Sequence, residues 1–272
     1  MGTESHLMST LQANGIDIHH ETAGEGPPLV LLTGLGFASW GWFRQIPTLS
    51  RHFTTIAIDN RGAGRSSKPD EPYSIAMMAE DAAAVLRHLG VRGANVLGLS
   101  MGGYIAQELA LSHRELVARL ILCSTAAGGE DAVIGTPETF AIMRREAEAG
   151  WGDEVMQESL TLRFSDRCIA SKSELLAEYA ELRKNNRPPR HAWAHQLQAC
   201  FEFAAGPRLA GLDIPTLVIT GDDDPIVPSA NGRILADKIP GAELFEIPTG
   251  RHLAVIEFAD QVNQRVIEFC TG

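Results

Sequence analysis

The chain has 272 residues, of which 44% are hydrophobic and 21% charged, so it can bury a large core, and its composition excludes disordered and collagen-like classes. Its formal net charge of −11 disfavours attraction to nucleic acid or to an anionic membrane, because both need basic patches, and favours small-molecule partners. Four widely spaced cysteines, no secretory leader pattern and no apolar run of membrane-spanning length predict a cytoplasmic protein with reduced thiols.

Short apolar runs alternate with segments of helical periodicity along most of the chain. The predicted strands are rich in Val, Ile and Leu, as buried parallel strands are, and cover residues 27–34, 53–60, 94–100, 117–124, 214–221 and 242–248. Helical patterns between and after them predict helices at 40–51, 74–89, 101–112, 229–238 and 254–269. This alternation predicts an α/β fold with a mostly parallel, doubly wound sheet that has helices on both faces.

The stretch from 127 to 208 interrupts this alternation. It is polar, has helical patterns and contains no segment typical of a strand. Open α/β sheets bind ligands beyond the carboxyl ends of their strands, and a helical insertion at that place would cover the binding crevice as a cap. We therefore expect a core in two parts, 1–126 and 209–272, separated by an inserted helical cap at 127–208.

A serine among glycines marks the junction between one predicted strand and the helix that follows it. The stretch NVLGLSMGGYIA (95–106) places Gly98, Gly102 and Gly103 around Ser100. Glycine is costly within regular structure, and its density here indicates a tight strand-to-helix turn that presents the serine hydroxyl as a nucleophile. A glycine-rich turn that contains a serine by chance is the alternative, so the prediction depends on finding a base and an orienting acid.

Nine histidines are candidates for the base. His252 directly follows the last predicted strand and precedes the last helix, so it should emerge at the same sheet edge as Ser100. We predict that it is the base. His191 and His195, four residues apart in the insertion, have the spacing of metal ligands. Ala-Trp-Ala lies between them instead of the HExxH pattern, so we predict no metal site there.

The acid is expected directly after another strand. Asp224 follows the strand at 214–221 and is fixed by the next residue, a proline, which makes it our prediction. Its neighbours Asp222 and Asp223 are expected to cap the turn, although spacing alone does not exclude them. Glu130 and Asp131, which come soon after the strand at 117–124, are the rival acids.

These motifs together resemble the α/β-hydrolase superfamily, in its serine-nucleophile branch. The matching elements run from about residue 27 to the C-terminus and occur in the family's order: GLSMG with Ser100, GDDDPIVP with Asp224, and GRH with His252. The stretch DNRGAGRS (59–66) is similar to the loop after the family's fourth strand. The resemblance implies a hydrolase of carboxylic esters or lactones that works through an acyl-enzyme and needs neither cofactor nor metal.

The resemblance also implies an oxyanion hole made of two backbone N–H groups. One would come from Met101, directly after the nucleophile, and the other from Leu35, with Gly36 as the alternative. Many relatives have His-Gly in this loop, whereas Thr33 replaces the histidine here, which puts the hydrogen-bonded support of the loop in question.

The substrate class is less defined. The stretch LLTGLGFASW (31–40) resembles the corresponding loop of 3-oxoadipate enol-lactonases, which would suit an anionic lactone. The insertion contains four basic residues that could attract such a substrate: Arg183, Lys184, Arg187 and Arg190. The simpler interpretation is that they lie on a solvated helix face and loop. The same three catalytic residues also suit a carbon–carbon bond hydrolase or a cofactor-free perhydrolase. A small-ligand receptor without enzyme activity is the alternative from another class.

Overall fold

The computed structural model describes residues 7–149 and 153–272. Within them one eight-stranded sheet is formed by β1 (Leu7–Ala13), β2 (Ile16–Ala23), β3 (Pro28–Leu32), β4 (Thr54–Ile58), β5 (Ala94–Leu99), β6 (Val117–Cys123), β7 (Thr216–Gly221) and β8 (Glu243–Ile247). The strand order is β1-β2-β4-β3-β5-β6-β7-β8. Strands β3 to β8 pair in parallel, whereas β2 is antiparallel to both β1 and β4. The predicted mostly parallel sheet is confirmed.

Strands β1 and β2, which form a hairpin, are not among the strands predicted from the sequence. Strand β1 is a sheet edge whose residues are exposed or half-buried, so it lacks the continuous apolar run that identifies the central strands. The feature of the sequence that could have indicated the hairpin is the Asn-Gly turn between the two strands. Asn14 and Gly15 both have positive φ, 51° and 77°, as a two-residue type I′ hairpin turn requires.

The helices within the described residues are α1 (Ile46–Leu49), α2 (Ile75–His88), α3 (Met101–Ser112), α4 (Pro137–Ala149), α5 (Asp153–Arg163), α6 (Asp166–Ser171), α7 (Ser173–Asn185), α8 (Arg190–Glu202), α9 (Ala230–Lys238), α10 (Ala254–Glu257) and α11 (Ala259–Thr271). The predicted helix at 40–51 is instead a 3₁₀ turn at Ser39–Trp42 followed by α1. Pro47 lies inside that stretch, and its ring would clash with the carbonyl four residues earlier in a continuous helix. The predicted helix at 254–269 is likewise divided, at Phe258, into α10 and α11.

Both faces of the sheet are buried, as a doubly wound fold requires. In β3, Val30 and Leu32 belong to the core on the side of α2 and α3. Leu29 and Leu31 alternate with them and belong to the core on the side of α11. Because residues 29–32 are buried on both faces, the sequence of β3 is apolar throughout instead of alternating.

Helices α4 to α8 follow β6 and precede β7, and the described residues of this stretch contain no strand. An antiparallel bridge between Gly128 and Ala204 joins the two ends of the stretch, with Gly129 N–H donating to the Phe203 carbonyl at 2.9 Å. The helices therefore start and finish at one point above the sheet. None of the described helices has the length and apolar character of a membrane span.

Candidate active site

Ser100 occupies the junction between β5 and α3. Its N–H donates to the Cys123 carbonyl at 2.9 Å, which continues the β5–β6 pairing, and its own carbonyl accepts from Gly103 N–H at 2.8 Å, as the first turn of α3 begins. Its φ is +55°, a left-handed value that costs a residue with a Cβ roughly 1–3 kcal/mol. Such strain is typical of a nucleophile held on a sharp turn.

The glycines around the serine are required by close backbone packing. A Cβ on Gly98 would lie 2.3 Å from the Gly102 carbonyl oxygen, and one on Gly102 would lie 2.0 Å from the Leu32 carbonyl oxygen. A Cβ on Gly103 would lie 2.5 Å from Thr125 Cγ2. The start of α3 therefore rests directly on the backbone of the sheet, and this contact raises the serine above the strand ends.

His252 and Asp224 form a buried pair at the ends of β7 and β8. His252 Nδ1 lies 2.9 Å from Asp224 Oδ2, and the two residues are 7% and 4% exposed. A carboxylate only accepts hydrogen bonds, so Nδ1 carries the proton and Nε2 is left able to accept one. The other carboxylate oxygen, Oδ1, accepts from the backbone N–H groups of Ile226 at 2.9 Å and Val227 at 3.0 Å.

The other carboxylates considered as acids have different partners. Asp222 accepts from Thr249 N–H at 2.6 Å, and Asp223 Oδ2 lies 2.9 Å from Arg251 Nε. Asp131 pairs with Lys238 at 2.9 Å, and its neighbour Glu130 is exposed. Among the five candidate carboxylates, Asp224 is therefore the one that contacts His252.

Ser100 and His252 line the same cavity, which has a volume of about 250 Å³. Leu35 and Met101, the two residues whose N–H groups are predicted oxyanion donors, also line it. Met101 is the first residue of α3, so its N–H has no acceptor within the helix and lies at the positive end of the helix dipole. Four of the five predicted site residues thus line one cavity, and the fifth, Asp224, contacts one of them, His252.

The loop after β3 forms a turn beside the nucleophile. Phe37 N–H donates to the Gly34 carbonyl at 3.1 Å, and Gly36 has a φ of +68°, as the third residue of a type II turn requires. A Cβ on Gly34 would lie 3.1 Å from Ser100 Cβ and 3.6 Å from Ser100 Oγ, so the first residue of this turn packs directly against the serine. Gly36 N–H already donates to Gln196 Oε1 at 2.8 Å, which leaves Leu35 as the better candidate donor.

Thr33 supplies support to this loop where many relatives have a histidine. Its hydroxyl is buried and donates to the Phe37 carbonyl at 3.1 Å, which closes the turn from the opposite side. Its carbonyl accepts from Asn60 Nδ2 at 3.0 Å. The threonine therefore gives the loop a hydrogen-bonded support of its own.

Residues 27–259 match the model of the alpha/beta hydrolase fold. The chain belongs to the alpha/beta hydrolase family. The expected membership, with its esterase-like and enol-lactonase-like relatives, is confirmed.

Three relatives show the chemistry found on this fold. The chain described here is similar to RutD of Azorhizobium caulinodans, whose name provisionally assigns it carbamate hydrolysis. The two are 30% identical over 254 residues, which cover 93% of this chain and 95% of RutD. This chain is 32% identical over 242 residues, 89% of its length and 83% of the other's, to a poly(3-hydroxyalkanoate) depolymerase of Ectopseudomonas oleovorans. The crystal structure of the enol-lactonase from Burkholderia xenovorans superposes with a TM-score of 0.86 at 30% identity, covering 97% of this chain and 100% of that one.

A buried ionic cluster in the wall of the cavity joins three helices of the hydrolase. Glu146 on α4 lies 2.7 Å from Arg163 Nη2 on α5 and 3.0 Å from Arg183 Nη2 on α7, and all three side chains are buried. Burial by itself opposes the charge on Glu146, but the two guanidinium groups outweigh it and lower the pKa of this carboxyl to about 2. The expectation of a solvated basic run is therefore wrong for Arg183. The other three residues of that run, Lys184, Arg187 and Arg190, are exposed.

Replacing Glu146 by glutamine is expected to lower the free energy of unfolding at pH 7 by about 3–5 kcal/mol, because Arg163 and Arg183 would remain buried without their carboxylate. The folded-state pKa of about 2 lies below the ordinary value of 4.5, so this stabilisation is present above pH 4.5 and is lost as the pH falls toward 2. Urea denaturation at a series of pH values should show the difference between the two proteins narrowing over that interval.

Glu148→Gln is the matched control, because Glu148 lies on the same helix but is exposed, and its contact with Arg144 is 4.0 Å long. We expect it to change the free energy of unfolding by less than about 0.5 kcal/mol. An effect of equal size in both variants would show that the buried cluster does not stabilise the fold.

His191 and His195 both reach from α8 to the loop that follows β4. His191 Nε2 lies 3.0 Å from the Lys68 carbonyl, and His195 Nε2 lies 3.1 Å from Asp70 Oδ1. The two histidines lie on one face of α8, and both hydrogen bond to the core of the hydrolase.

Proposed function

We propose that this hydrolase cleaves a carboxylic ester or lactone through an acyl-enzyme intermediate, with Ser100 as nucleophile, His252 as general base and Asp224 as the acid that orients the imidazole. One observation carries the proposal: a serine in a strained turn and an imidazole paired with a buried carboxylate line the same cavity. Binding alone needs neither the strain nor the pair, which argues against a receptor without activity.

The reaction would proceed in two steps that use the same residues. Ser100 Oγ attacks the substrate carbonyl while His252 Nε2 takes the hydroxyl proton, and Asp224 stabilises the imidazolium that forms. The backbone N–H groups of Leu35 and Met101 would hold the negative charge that develops on the carbonyl oxygen. His252 then gives the proton to the departing alcohol oxygen. Water, deprotonated by His252, attacks the acyl-enzyme, and His252 returns that proton to Ser100 Oγ as the acid is released.

The walls of the cavity favour a small, mostly apolar acyl group. Aromatic and aliphatic side chains dominate the lining, among them Phe37, Tyr104, Phe140, Met143 and Leu197. Arg183 also lines the cavity, but it pairs with Glu146, so the basic run does not by itself favour an anionic lactone. A volume of about 250 Å³ lies just below the usual range for small-molecule sites, which fits a short acyl chain.

We propose in addition that residues 127–208 are a cap domain. Helices α4 and α8 contribute Phe140, Met143, Trp193 and Leu197 to the cavity wall, opposite the nucleophile turn contributed by the core. The part of the pocket that selects the acyl group would then come from this insertion.

Labelling with a fluorophosphonate probe tests the proposal, because the probe reacts with a serine activated by a neighbouring base. We expect one adduct on native protein, located by mass spectrometry on the peptide that contains Ser100, and no adduct after heat denaturation. A parallel panel of 4-nitrophenyl esters, lactones and a vinylogous 1,5-diketone should show turnover of the shorter esters or lactones. Folded protein that is unlabelled and hydrolyses none of them would contradict the proposal, and turnover of the diketone alone would favour carbon–carbon bond hydrolysis.

A further inference from the structure

Side chains from two cap helices hold both polar groups of Gly36. Gln196 Oε1 on α8 accepts from Gly36 N–H at 2.8 Å, and Arg183 Nη1 on α7 donates to the Gly36 carbonyl. The Arg183 guanidinium also lies over the Phe37 ring, 4.8 Å from its centroid. The turn that contains Leu35 is thus fastened at its third residue by the cap.

Gln196 is itself held in a single orientation. Its side chain is fully buried, and its Nε2 donates to the Arg61 carbonyl at 2.7 Å. Arg61 in turn is fixed by two bonds to the buried carboxylate of Asp81, of 2.6 and 2.8 Å. Because Nε2 must face the Arg61 carbonyl, Oε1 must face Gly36 N–H.

The orientation of the Leu35–Gly36 peptide depends on this acceptor. Type I and type II turns differ mainly in the direction of their central peptide, and glycine at the third position allows both. Gln196 accepts the N–H of that central peptide and so favours the observed positive φ at Gly36. The next peptide toward the N-terminus carries Leu35 N–H, and the two residues that it joins, Gly34 and Leu35, line the cavity together with Ser100.

We propose that Gln196 is a positioning residue for the oxyanion hole. Through Gln196 the cap fixes the loop that contains Leu35 N–H, so the oxyanion hole forms only when the cap is packed against the core. This inference rests on the proposed serine-hydrolase function. It predicts that Gln196 acts on the transition state, where charge develops on the oxygen, and not on the binding of the uncharged substrate.

Gln196→Met removes both hydrogen bonds at similar side-chain length. With 4-nitrophenyl butyrate as the probe substrate, we expect kcat to fall about tenfold while KM stays within about twofold. Affinity for butaneboronic acid, which forms a tetrahedral adduct with a nucleophilic serine, should weaken by a similar factor. Affinity for butyl phenyl ether, which develops no charge, should not change. A cap that is merely loosened would weaken the binding of both ligands.

Two further variants keep the test decisive. Gln198→Met lies on the same helix, where Gln198 is exposed and contacts Glu202, and it should leave every parameter unchanged. Gln196→Glu retains an acceptor for Gly36 N–H but loses the donor to the Arg61 carbonyl, so it should keep kcat within about threefold of the parent enzyme.

The outcomes separate this inference from the function on which it rests. Unchanged kcat in Gln196→Met, or equal losses in Gln196→Met and Gln196→Glu, would overturn the positioning role if Ser100→Ala is inactive in the same assay. Activity retained by Ser100→Ala would instead overturn the proposed function itself.

Discussion

Replacing Ser100 by alanine is expected to lower kcat for the preferred ester or lactone by roughly 10⁶-fold, because the proposed mechanism forms the acyl-enzyme on the hydroxyl that this substitution removes. Residual turnover would come from the oxyanion donors and from substrate binding, which operate without the hydroxyl. Steady-state hydrolysis of 4-nitrophenyl butyrate, with the variant assayed at high enzyme concentration, measures the loss. Binding of an unreactive ether analogue should be preserved, since the cavity walls are unchanged.

The fold should tolerate this substitution. Alanine and serine both carry a Cβ, so the left-handed φ of +55° costs them similarly, and the backbone bonds from Ser100 to Cys123 and Gly103 do not involve the hydroxyl. Ser171→Ala, at an exposed position on α6, is the control and should leave kcat unchanged. An alanine variant at position 100 that folds and keeps more than about a hundredth of the activity would contradict the assignment of the nucleophile.

The parts of the structure that the sequence predicts well are those determined locally. Strands β3 to β7 are largely buried on both faces, so each is a short, mostly apolar run, and its carboxyl end is found by reading to the end of that run. Ser100 and Asp224 follow such runs, whereas His252 follows the partly exposed edge strand β8. The structure pairs His252 with Asp224 and places Ser100 and His252 on the same cavity. Parallel strands bring their carboxyl ends to one edge, which is why positions so distant in sequence could be grouped.

Contacts made by the helices between β6 and β7 could not be predicted from the sequence. Gly36 and Gln196 are 160 residues apart, and neither periodicity nor a motif relates them. Arg183 shows its charge in the sequence but not its partner, Glu146, which lies 37 residues earlier on another helix. Whether a charge is solvated or buried depends on how the helices pack, and polar composition alone favours the solvated state.

Asparagine at position 224 is expected to lower kcat by about 10⁴-fold while the fold is retained, because it changes which nitrogen of His252 carries the proton. The backbone N–H groups of Ile226 and Val227 both point at one side-chain oxygen of Asp224, at 2.9 and 3.0 Å. An asparagine must therefore turn its oxygen toward these two donors and its NH₂ toward His252 Nδ1. That nitrogen then has to accept, the proton moves to Nε2, and Nε2 can no longer take a proton from Ser100.

The proton's position can be observed directly, which separates this explanation from a general loss of structure. Two-dimensional ¹H–¹⁵N spectra of the imidazole should show Nδ1 protonated in the parent enzyme and Nε2 protonated in Asp224→Asn. Asp223→Asn is the matched control: its carboxylate contacts Arg251 at 2.9 Å and is mostly exposed, so kcat should change by less than about threefold. If Asp223→Asn were inactive and Asp224→Asn active, the acid would be assigned wrongly. If Asp224→Asn lost its activity while His252 Nδ1 stayed protonated, the N–H groups of Ile226 and Val227 would not determine the tautomer of His252.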